Sequence, residues 1–312
     1  MIKLQKTIKY LMCGGVTLVA LAGAAPAQAV SFVSTFRPPG NTTEVGRIDT
    51  TTGIYSNYGT YELQLTDIAV NNSGQVFGST YDQLYTINPG VNPAATVGNL
   101  GISGLNGLGF DSNNNLYGIA GRNPSGSGSG NPGFYKIDTT NTSTFGTATL
   151  ISNLGGFAPT AFGFAGTNST GDTSDIAFNP NTNKFFAVSG NNDSLLFSID
   201  PSNGATATIG SIKLGGNPVG FVSGLTFDGS ALRGYTTSKL QITIDPSTGT
   251  VISSAAISGI NTLPDGSNFL VGGAASTITA VPEPSSAAGF AFLGVCFGAR
   301  LVMKRKQQQL DK

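Results

Sequence analysis

Four stretches of the chain repeat one pattern of apolar and polar positions. Each contains an apolar–small–apolar triplet, then a turn rich in Asn, Asp, Gly or Pro, then a second short apolar stretch. Such alternation is typical of a β-strand with two apolar side chains on one face and a small residue on the other, where another layer comes close. The stretches are "LTDIAVNNSGQVFG", "LNGLGFDSNNNLYG", "TSDIAFNPNTNKFFA" and "VSGLTFDGSALRG".

A second motif ends in Ile-Asp or Ile-Asn and precedes a turn rich in Pro, Asn, Thr and Gly. An Asp or Asn there can accept a hydrogen bond from the backbone two residues on, which favours a hairpin turn between a third and a fourth strand. The copies are "VGRIDTTTG", "LYTINPG", "FYKIDTTN", "LFSIDPSNG" and "QITIDPSTG". The expected fourth strands carry Tyr55, Val97, Ile151, Ile209 and Ile252.

The two motifs alternate along the chain, which predicts a repeating unit of four short strands. A unit of about 40–50 residues with four strands is typical of a β-propeller blade. Two of the spacings are longer than the others because they contain insertions, at 121–133 and 157–173. The first insertion, "GRNPSGSGSGNPG", falls between a second and a third strand.

The two ends of the repeat region have complementary gaps. The stretch "INTLPDGSNFLVGG" around Leu263 predicts a first and second strand, and "VGRIDTTTGIYSNYG" predicts a third and fourth. Joining them completes one mixed blade, in which "SFVSTF" and "NFLVGG" compete for one strand. We therefore predict an all-β, five-bladed propeller of four-stranded antiparallel blades; a β-sandwich or two stacked β domains is the alternative.

The first 29 residues have the features of a secretory signal peptide. Lys3, Lys6 and Lys9 precede an apolar run, and Ala27 and Ala29 form the small-x-small pattern that signal peptidase accepts. An N-terminal membrane anchor is the alternative. This division predicts a signal peptide at 1–29, a propeller-like body at 30–280 and a separate C-terminal segment at 281–312.

The composition of the body excludes one class of partner. Between Val30 and Val281 there are 8 basic and 14 acidic residues, a net charge of −6. A mildly acidic body lacks the basic footprint of a nucleic-acid-binding protein. Both cysteines, Cys13 and Cys296, lie outside the body, so no disulfide is expected to hold the fold.

The residues available for chemistry are few. The chain has no histidine, which excludes Ser-His and Cys-His nucleophile pairs and His-ligated metals. Asp67, Asn106 and Asp175 each stand just before an apolar triplet, and the fourth repeat has Ser223 and Gly224 there. These oxygens could converge on Ca²⁺ in the central channel, as in calcium-dependent, lactonase-like propeller hydrolases; the alternative is that they cap the strand starts by bonding nearby amides.

A second calcium candidate is weaker. In "DSNNN", Asp111, Asn113 and Asn115 stand at alternate positions, but the Gly and the distant Glu of a calcium loop are missing. A polar hairpin turn is the favoured interpretation. We expect no cofactor, since the Gly-rich insertion does not follow a strand and open a helix as a phosphate-binding loop does.

The C-terminal segment has three parts. The prolines of a Pro-Glu-Pro motif end the folded body, because proline interrupts helices and strands. An apolar run of 19 residues, from Ser285 to Met303, is near the ~20 needed to span a bilayer, and a basic cluster after it favours the cytoplasmic side. The motif is Pro282, Glu283 and Pro284, and the basic cluster is Lys304, Arg305 and Lys306.

The order "VPEPSS", short apolar helix and "KRK" resembles the PEP-CTERM sorting signal of exported bacterial proteins. The resemblance covers about the last 30 residues. It implies that an exosortase recognises the Pro-Glu-Pro region and processes the tail, and that the protein accompanies exopolysaccharide or other matrix proteins of a biofilm. A permanent C-terminal anchor is the alternative, but it leaves the Pro-Glu-Pro motif without a role.

Together these features predict an exported, non-catalytic surface or extracellular-matrix protein. It would be held in the membrane by its C-terminal helix until an exosortase processes it. The alternative function is a calcium-dependent propeller hydrolase.

Overall fold

The computed structural model describes residues 30–37, 42–92, 94–121, 133–141, 143–154, 173–189, 194–260 and 270–276. Within these ranges every regular element is a β-strand, and no helix long and apolar enough to cross a membrane is found there. The predicted signal peptide and the predicted C-terminal helix lie outside the described residues.

The strands are short and follow one another closely. In chain order they are β1 (Val30–Arg37), β2 (Thr42–Asp49), β3 (Tyr55–Tyr61), β4 (Asp67–Val70), β5 (Val76–Ser79), β6 (Gln83–Ile87), β7 (Ala95–Asn99), β8 (Leu105–Phe110), β9 (Leu116–Ala120), β10 (Gly133–Ile137), β11 (Ala148–Ser152), β12 (Thr173–Asn179), β13 (Lys184–Ser189), β14 (Leu195–Ile199), β15 (Thr206–Ser211), β16 (Lys213–Leu214), β17 (Asn217–Pro218), β18 (Val222–Asp228), β19 (Ala231–Thr236), β20 (Leu240–Ile244), β21 (Val251–Ala256) and β22 (Leu270–Ala275).

Five four-stranded antiparallel sheets form the blades of a propeller, as predicted. Blade 1 is β4–β7, blade 2 is β8–β11, blade 3 is β12–β15 and blade 4 is β18–β21. Blade 5 has the order β22-β1-β2-β3 and so joins the two ends of the body. A two-stranded hairpin, β16-β17, stands between blades 3 and 4 and was not predicted.

Blade 5 is divided differently from the prediction. The C-terminal end supplies one strand, β22, and the N-terminal end supplies three. The stretches "SFVSTF" and "NFLVGG" do not compete, because β1 pairs with β22 on one side and with β2 on the other. Phe32 and Val33 of β1 belong to different apolar clusters, so both faces of this strand are packed. The expected first-strand residue Leu263 lies outside the described residues.

The apolar–small–apolar triplets form the innermost strands, and their alternation has the predicted role. In β4, Ile68 and Val70 pack in a cluster with blade 5, whereas Ala69 packs in a cluster with blade 2. In β8, a Cβ added at Gly109 would lie 3.1 Å from a ring atom of Phe185 in blade 3. The small central residue is therefore the point where the next blade comes close.

The turns between third and fourth strands also follow the prediction. Asp49, Asp138, Asp200 and Asp245 each accept, at Oδ1, a hydrogen bond of 2.8–2.9 Å from the backbone N–H two residues on. The two insertions fall where expected, between β9 and β10 and between β11 and β12. Their residues 122–132 and 155–172 lie outside the described residues.

The core of the molecule is divided among the interfaces between blades. Each of five buried apolar clusters combines side chains from two neighbouring blades, which gives one cluster for each interface of the ring. Aromatic pairs cross several interfaces: Phe77 with Phe110 at 5.4 Å, Tyr117 with Phe185 at 5.0 Å and Phe186 with Phe227 at 5.4 Å between ring centroids. Each blade therefore buries its faces only against its neighbours.

The interfaces of blade 5 with its two neighbours contain buried polar atoms that make no well-formed hydrogen bond. Among the described residues these are Ser31 Oγ, Tyr55 Oη, Tyr235 Oη and Gln241 Oε1 on the side of blade 4, where the hydroxyls of Tyr235 and Ser31 lie close to each other, and Ser34 Oγ on the side of blade 1. Burial raises the pKa of Tyr235 strongly, since the phenolate would have no water around it.

We expect Tyr235→Phe to leave the free energy of unfolding nearly unchanged, because the ring is kept and the hydroxyl, although close to that of Ser31, makes no well-formed hydrogen bond. Tyr61→Phe is the matched control: the Tyr61 hydroxyl donates a 2.8 Å hydrogen bond to the Asn88 carbonyl, and its loss should destabilise by about 1 kcal/mol. Urea unfolding of both variants measures the difference. Equal destabilisation by the two substitutions would contradict the assignment.

Candidate functional site

The candidate site lies at the N-terminal ends of the innermost strands. Asp67 begins β4, Asn106 is in β8 and Asp175 is in β12, and all three side chains are buried, with exposed fractions of 0–1%. The side chains of Asp67 and Asp175 are hydrogen-bonded to each other. The structure thus brings the two predicted carboxyl groups together, from blades 1 and 3.

Both oxygens of Asp67 accept backbone hydrogen bonds. Oδ1 accepts from the N–H of Ile68 at 2.7 Å, in its own strand, and Oδ2 accepts from the N–H of Leu108 at 2.5 Å, in blade 2. Gly273 of β22 lies against the same carboxyl group, since a Cβ added there would overlap Oδ1. Asp67 therefore contacts blades 2, 3 and 5 from blade 1.

Asp175 makes three backbone contacts. Oδ1 accepts from the N–H of Ile176 at 2.6 Å, and Oδ2 accepts from the N–H of Leu225 in blade 4 at 2.6 Å and of Ala274 in blade 5 at 2.9 Å. With the bond to Asp67, these contacts connect the innermost strands of all five blades. The two carboxyl groups form a single hydrogen-bonded network on the propeller axis, which we call the carboxyl pair.

The pKa values of the carboxyl pair are displaced upwards. Burial is the main cause for both groups, because a carboxylate is costly without solvent, and the charge of Asp175 raises the pKa of Asp67 further. Burial raises the pKa of Asp175 to about 8, although five backbone N–H groups favour the charged forms. Near neutral pH the pair therefore holds at least one proton.

These contacts do not fit a calcium site. Ca²⁺ takes six to eight oxygen ligands, usually from several carboxylates and carbonyls. Here the oxygens of Asp67 and Asp175 face N–H donors, and the described residues contain no group of three or more His, Cys, Asp or Glu side chains that could hold a metal. The geometry instead matches the alternative in which these side chains cap the strands by bonding nearby amides.

Beyond the carboxyl pair, the channel is narrow and mainly apolar. A small depression of about 30 Å³, partly open to solvent, is lined by the triplet residues of the innermost strands, including Phe110, Phe178 and Phe227. Its polar groups include Thr226 and Ser276, whose hydroxyls are hydrogen-bonded to each other at 2.8 Å. This lining suits structural packing, and it presents no nucleophile with a neighbouring base.

The second predicted calcium candidate forms a hairpin turn. Asp111 Oδ1 accepts hydrogen bonds from the backbone N–H groups of Asn113 at 2.9 Å and Asn115 at 2.8 Å, and Oδ2 accepts from the side-chain amide of Asn115. Asn114 has a positive φ of 66°, which an asparagine in a turn tolerates. The favoured interpretation of "DSNNN" agrees with this geometry.

The remaining predicted site residues lie outside the described residues. They are the signal-cleavage residues Ala27 and Ala29, the motif Pro282, Glu283 and Pro284, and the basic cluster Lys304, Arg305 and Lys306.

Sequence reasoning missed the partners of the carboxyl pair. Leu225 and Ala274 contribute only backbone N–H groups, so their side chains carry no sign of this role. Gly273 was the one available signal, since a glycine in the middle of a strand often marks a close approach.

Comparison with known proteins gives no family. The chain matches no protein-family model and no curated protein. Among solved structures, it is similar to a chain of the nidogen/laminin complex (12% identity, TM-score 0.45, 80% of this chain and 86% of that chain). It is also similar to Myxococcus xanthus glutaminyl cyclase (18%, 0.44, 71% and 82%) and to a protein of unknown function from Bacteroides caccae (10%, 0.42, 77% and 76%). At TM-scores below 0.5 these similarities transfer neither fold nor function, and the propeller assignment rests on the strand order.

The carboxyl pair should make stability fall as the pH rises. Between the pKa of an aspartate in the unfolded chain, about 3.9, and the value of about 8 for Asp175, the native state keeps a proton that the unfolded chain has lost. The free energy of unfolding therefore decreases through this window, by up to about 1.4 kcal/mol per pH unit for each proton that the native state keeps, and the raised pKa of Asp67 extends the decrease to higher pH. Denaturant unfolding at a series of pH values measures the slope.

Asp175→Asn should reduce this slope between pH 5 and 8, because the amide does not titrate and only the buried Asp67 is left to hold a proton. It should also lower stability at pH 5, since the amide NH₂ would face a backbone N–H. Asp245→Asn is the matched control. Hydrogen bonds from Ser247 lower the pKa of this exposed carboxyl, so its contribution is lost only as the pH falls below about 4. A slope unchanged in Asp175→Asn would contradict a shared proton.

The packing of β22 against Asp67 gives a further test. Gly273→Ala should destabilise by about 3 kcal/mol, because the new Cβ would overlap Asp67 Oδ1 and push the carboxyl group out of its network. At the adjacent Gly272 a Cβ would lie 3.2 Å from Ser34 Oγ, so Gly272→Ala should cost less than about 1 kcal/mol. Urea unfolding compares the two, and equal costs would exclude this contact.

Proposed function

We propose that this chain is an exported, non-catalytic surface or extracellular-matrix protein that an exosortase sorts through its C-terminal segment. The observation that carries the proposal is the order of the last part of the chain: Pro282-Glu283-Pro284, an apolar run, then a basic cluster from Lys304 to Lys306. A simple anchor needs only the apolar run and the basic stop. The Pro-Glu-Pro motif adds a helix-breaking segment at the membrane surface, where a membrane protease can reach it.

The positions of the strands support this division of the chain. The first described strand begins at Val30, directly after the proposed signal-peptidase site at Ala29, and the last described strand ends at Ala275, before the motif. Removing the signal peptide and the tail would therefore leave every described strand of the ring in place. Signal peptidase and an exosortase are the processing partners in this proposal, and exopolysaccharide or other matrix proteins are the partners after release.

The carboxyl pair supports a protein without catalysis of its own. Asp67 and Asp175 are fully buried, and their oxygens are used in hydrogen bonds to backbone amides of neighbouring blades. Such groups stabilise the ring and are not available to a substrate in this arrangement. We propose that binding specificity belongs to the loops and edges of the propeller, where surface variation does not disturb the fold.

Intact-mass measurement of the exported protein tests the sorting proposal. In the native host we expect a mass that lacks residues 1–29 and everything after approximately the Pro-Glu-Pro motif. In a host without the exosortase, the tail should be kept and the protein should stay in the membrane fraction, because the apolar run and basic cluster suffice as an anchor.

A double variant, Pro282→Ala with Pro284→Ala, should behave like the wild type in the exosortase-deficient host, since it keeps the anchor and loses the motif. Gln307→Ala, which lies beyond the basic cluster, is the control and should be processed normally. Recovery of the full tail through Lys312 from the exported protein of the normal host would overturn the proposal.

A further inference from the structure

The fourth strand of every blade is an open edge. In the order of each sheet, β3, β7, β11, β15 and β21 come last and have one hydrogen-bonded neighbouring strand. An edge strand presents a row of backbone N–H and C=O groups that a strand from another molecule can pair with. The five edges face outwards around the rim, since the opposite edge of each blade lines the channel.

These edges lack the features that usually block such pairing. Proteins protect edge strands with charged side chains, especially lysine, or with proline. The five fourth strands together contain 29 residues, and none is Asp, Glu, Lys, Arg or Pro. All 8 basic and 14 acidic residues between Val30 and Val281 lie elsewhere. Charge is thus kept off the rim edges while it is present in the turns and on other strands.

The edge strand β21 has the most exposed side chains of the five. Five of its six residues are exposed, and Ile252 is 68% exposed, the highest value among the large apolar side chains of the described part of the chain. Turns of the neighbouring blades come close to parts of several edges: a Cβ added at Gly210 of β15 would lie 2.9 Å from the Thr248 carbonyl, one at Gly98 of β7 would overlap the Phe145 carbonyl, and one at Gly53 would lie 2.7 Å from the Ala256 carbonyl of β21. Lys213 forms a β-bridge with Thr250, just before β21. Between these two contacts, the residues from Ile252 to Ala255 are small or apolar, which allows another strand to approach.

The absence of charged side chains on β21 limits which partner strands can pair with it. A charged partner strand would find no opposite charge on β21 and would lose solvation without compensation. A second copy of β21 is also uncharged, so no like charges would face each other along the paired strands. This holds even though each body carries a net charge of −6. Antiparallel pairing of one strand with its own copy is also self-complementary about a two-fold axis.

We propose that two copies of this protein associate through β21, in antiparallel register, so that the two copies of blade 4 form one continuous eight-stranded sheet. This association is a property of the folded body and does not depend on sorting by an exosortase. It gives a matrix protein a route to assembly through backbone hydrogen bonds.

Site-specific cross-linking tests the proposal, because the body has no cysteine of its own. In full-length protein with Cys13→Ser and Cys296→Ser, a cysteine is introduced by Ser254→Cys in the middle of β21, or by Ser112→Cys in an exposed turn as the control. A short bismaleimide should then link Ser254→Cys copies into dimers with at least tenfold higher yield than Ser112→Cys copies at the same concentration. Adding Ile252→Lys should reduce the yield to that of the control, since a lysine on an edge strand opposes the addition of another strand.

Light scattering on the full-length chain in detergent provides an independent measurement. The dimer fraction of the wild type should rise with protein concentration. Ile252→Lys should raise the dissociation constant of the dimer at least tenfold. Equal cross-linking of the two cysteine variants, or a wild type that stays monomeric, would overturn the proposal. Cross-links from Ser254→Cys only to other proteins of the host would also overturn it, because they would assign the edge to a different partner.

Discussion

The hydrogen-bonded carboxyl pair on the axis is the constraint on which the ring depends. Each innermost strand has one edge in the channel, and its backbone N–H groups need partners there. Asp67 and Asp175 accept bonds from Leu108, Leu225 and Ala274, which belong to three other blades. Burying two carboxyl groups is costly, and the cost is reduced because they share a proton and bond backbone amides. Removing one of them would leave buried donors unpaired in several blades at once.

Apolar packing between neighbouring blades stabilises the ring together with the carboxyl pair. Each of the five apolar clusters belongs to two blades, so no blade can bury its faces alone. The body has no cysteine, and the ring is closed without a covalent link, by the pairing of β22 with β1. The buried polar atoms that make no well-formed hydrogen bond lie at both interfaces of blade 5 and are tolerated within this arrangement.

The proposed roles of the molecule follow from this separation of centre and rim. Its most perturbed ionisable groups are buried on the axis and act on stability, so their titration is expected to change the strength of the ring. The rim carries uncharged edge strands and the turns, which are accessible to partners. A protein that is exported and assembled into a matrix would use the rim for contacts and the axis for cohesion.

The sequence by itself determined the strands, their turns and the number of blades. Period-two alternation and Asx turns are local properties, so the triplets and the Ile-Asp motifs predicted the strands of blades 1 to 4 correctly. It also pointed to Asp67 and Asp175 as special positions. Only the tertiary structure decided that β22 alone completes blade 5 and that these carboxyl groups meet. The reason is that their partners are backbone amides up to 99 residues away, and a backbone amide leaves no mark in the side-chain pattern.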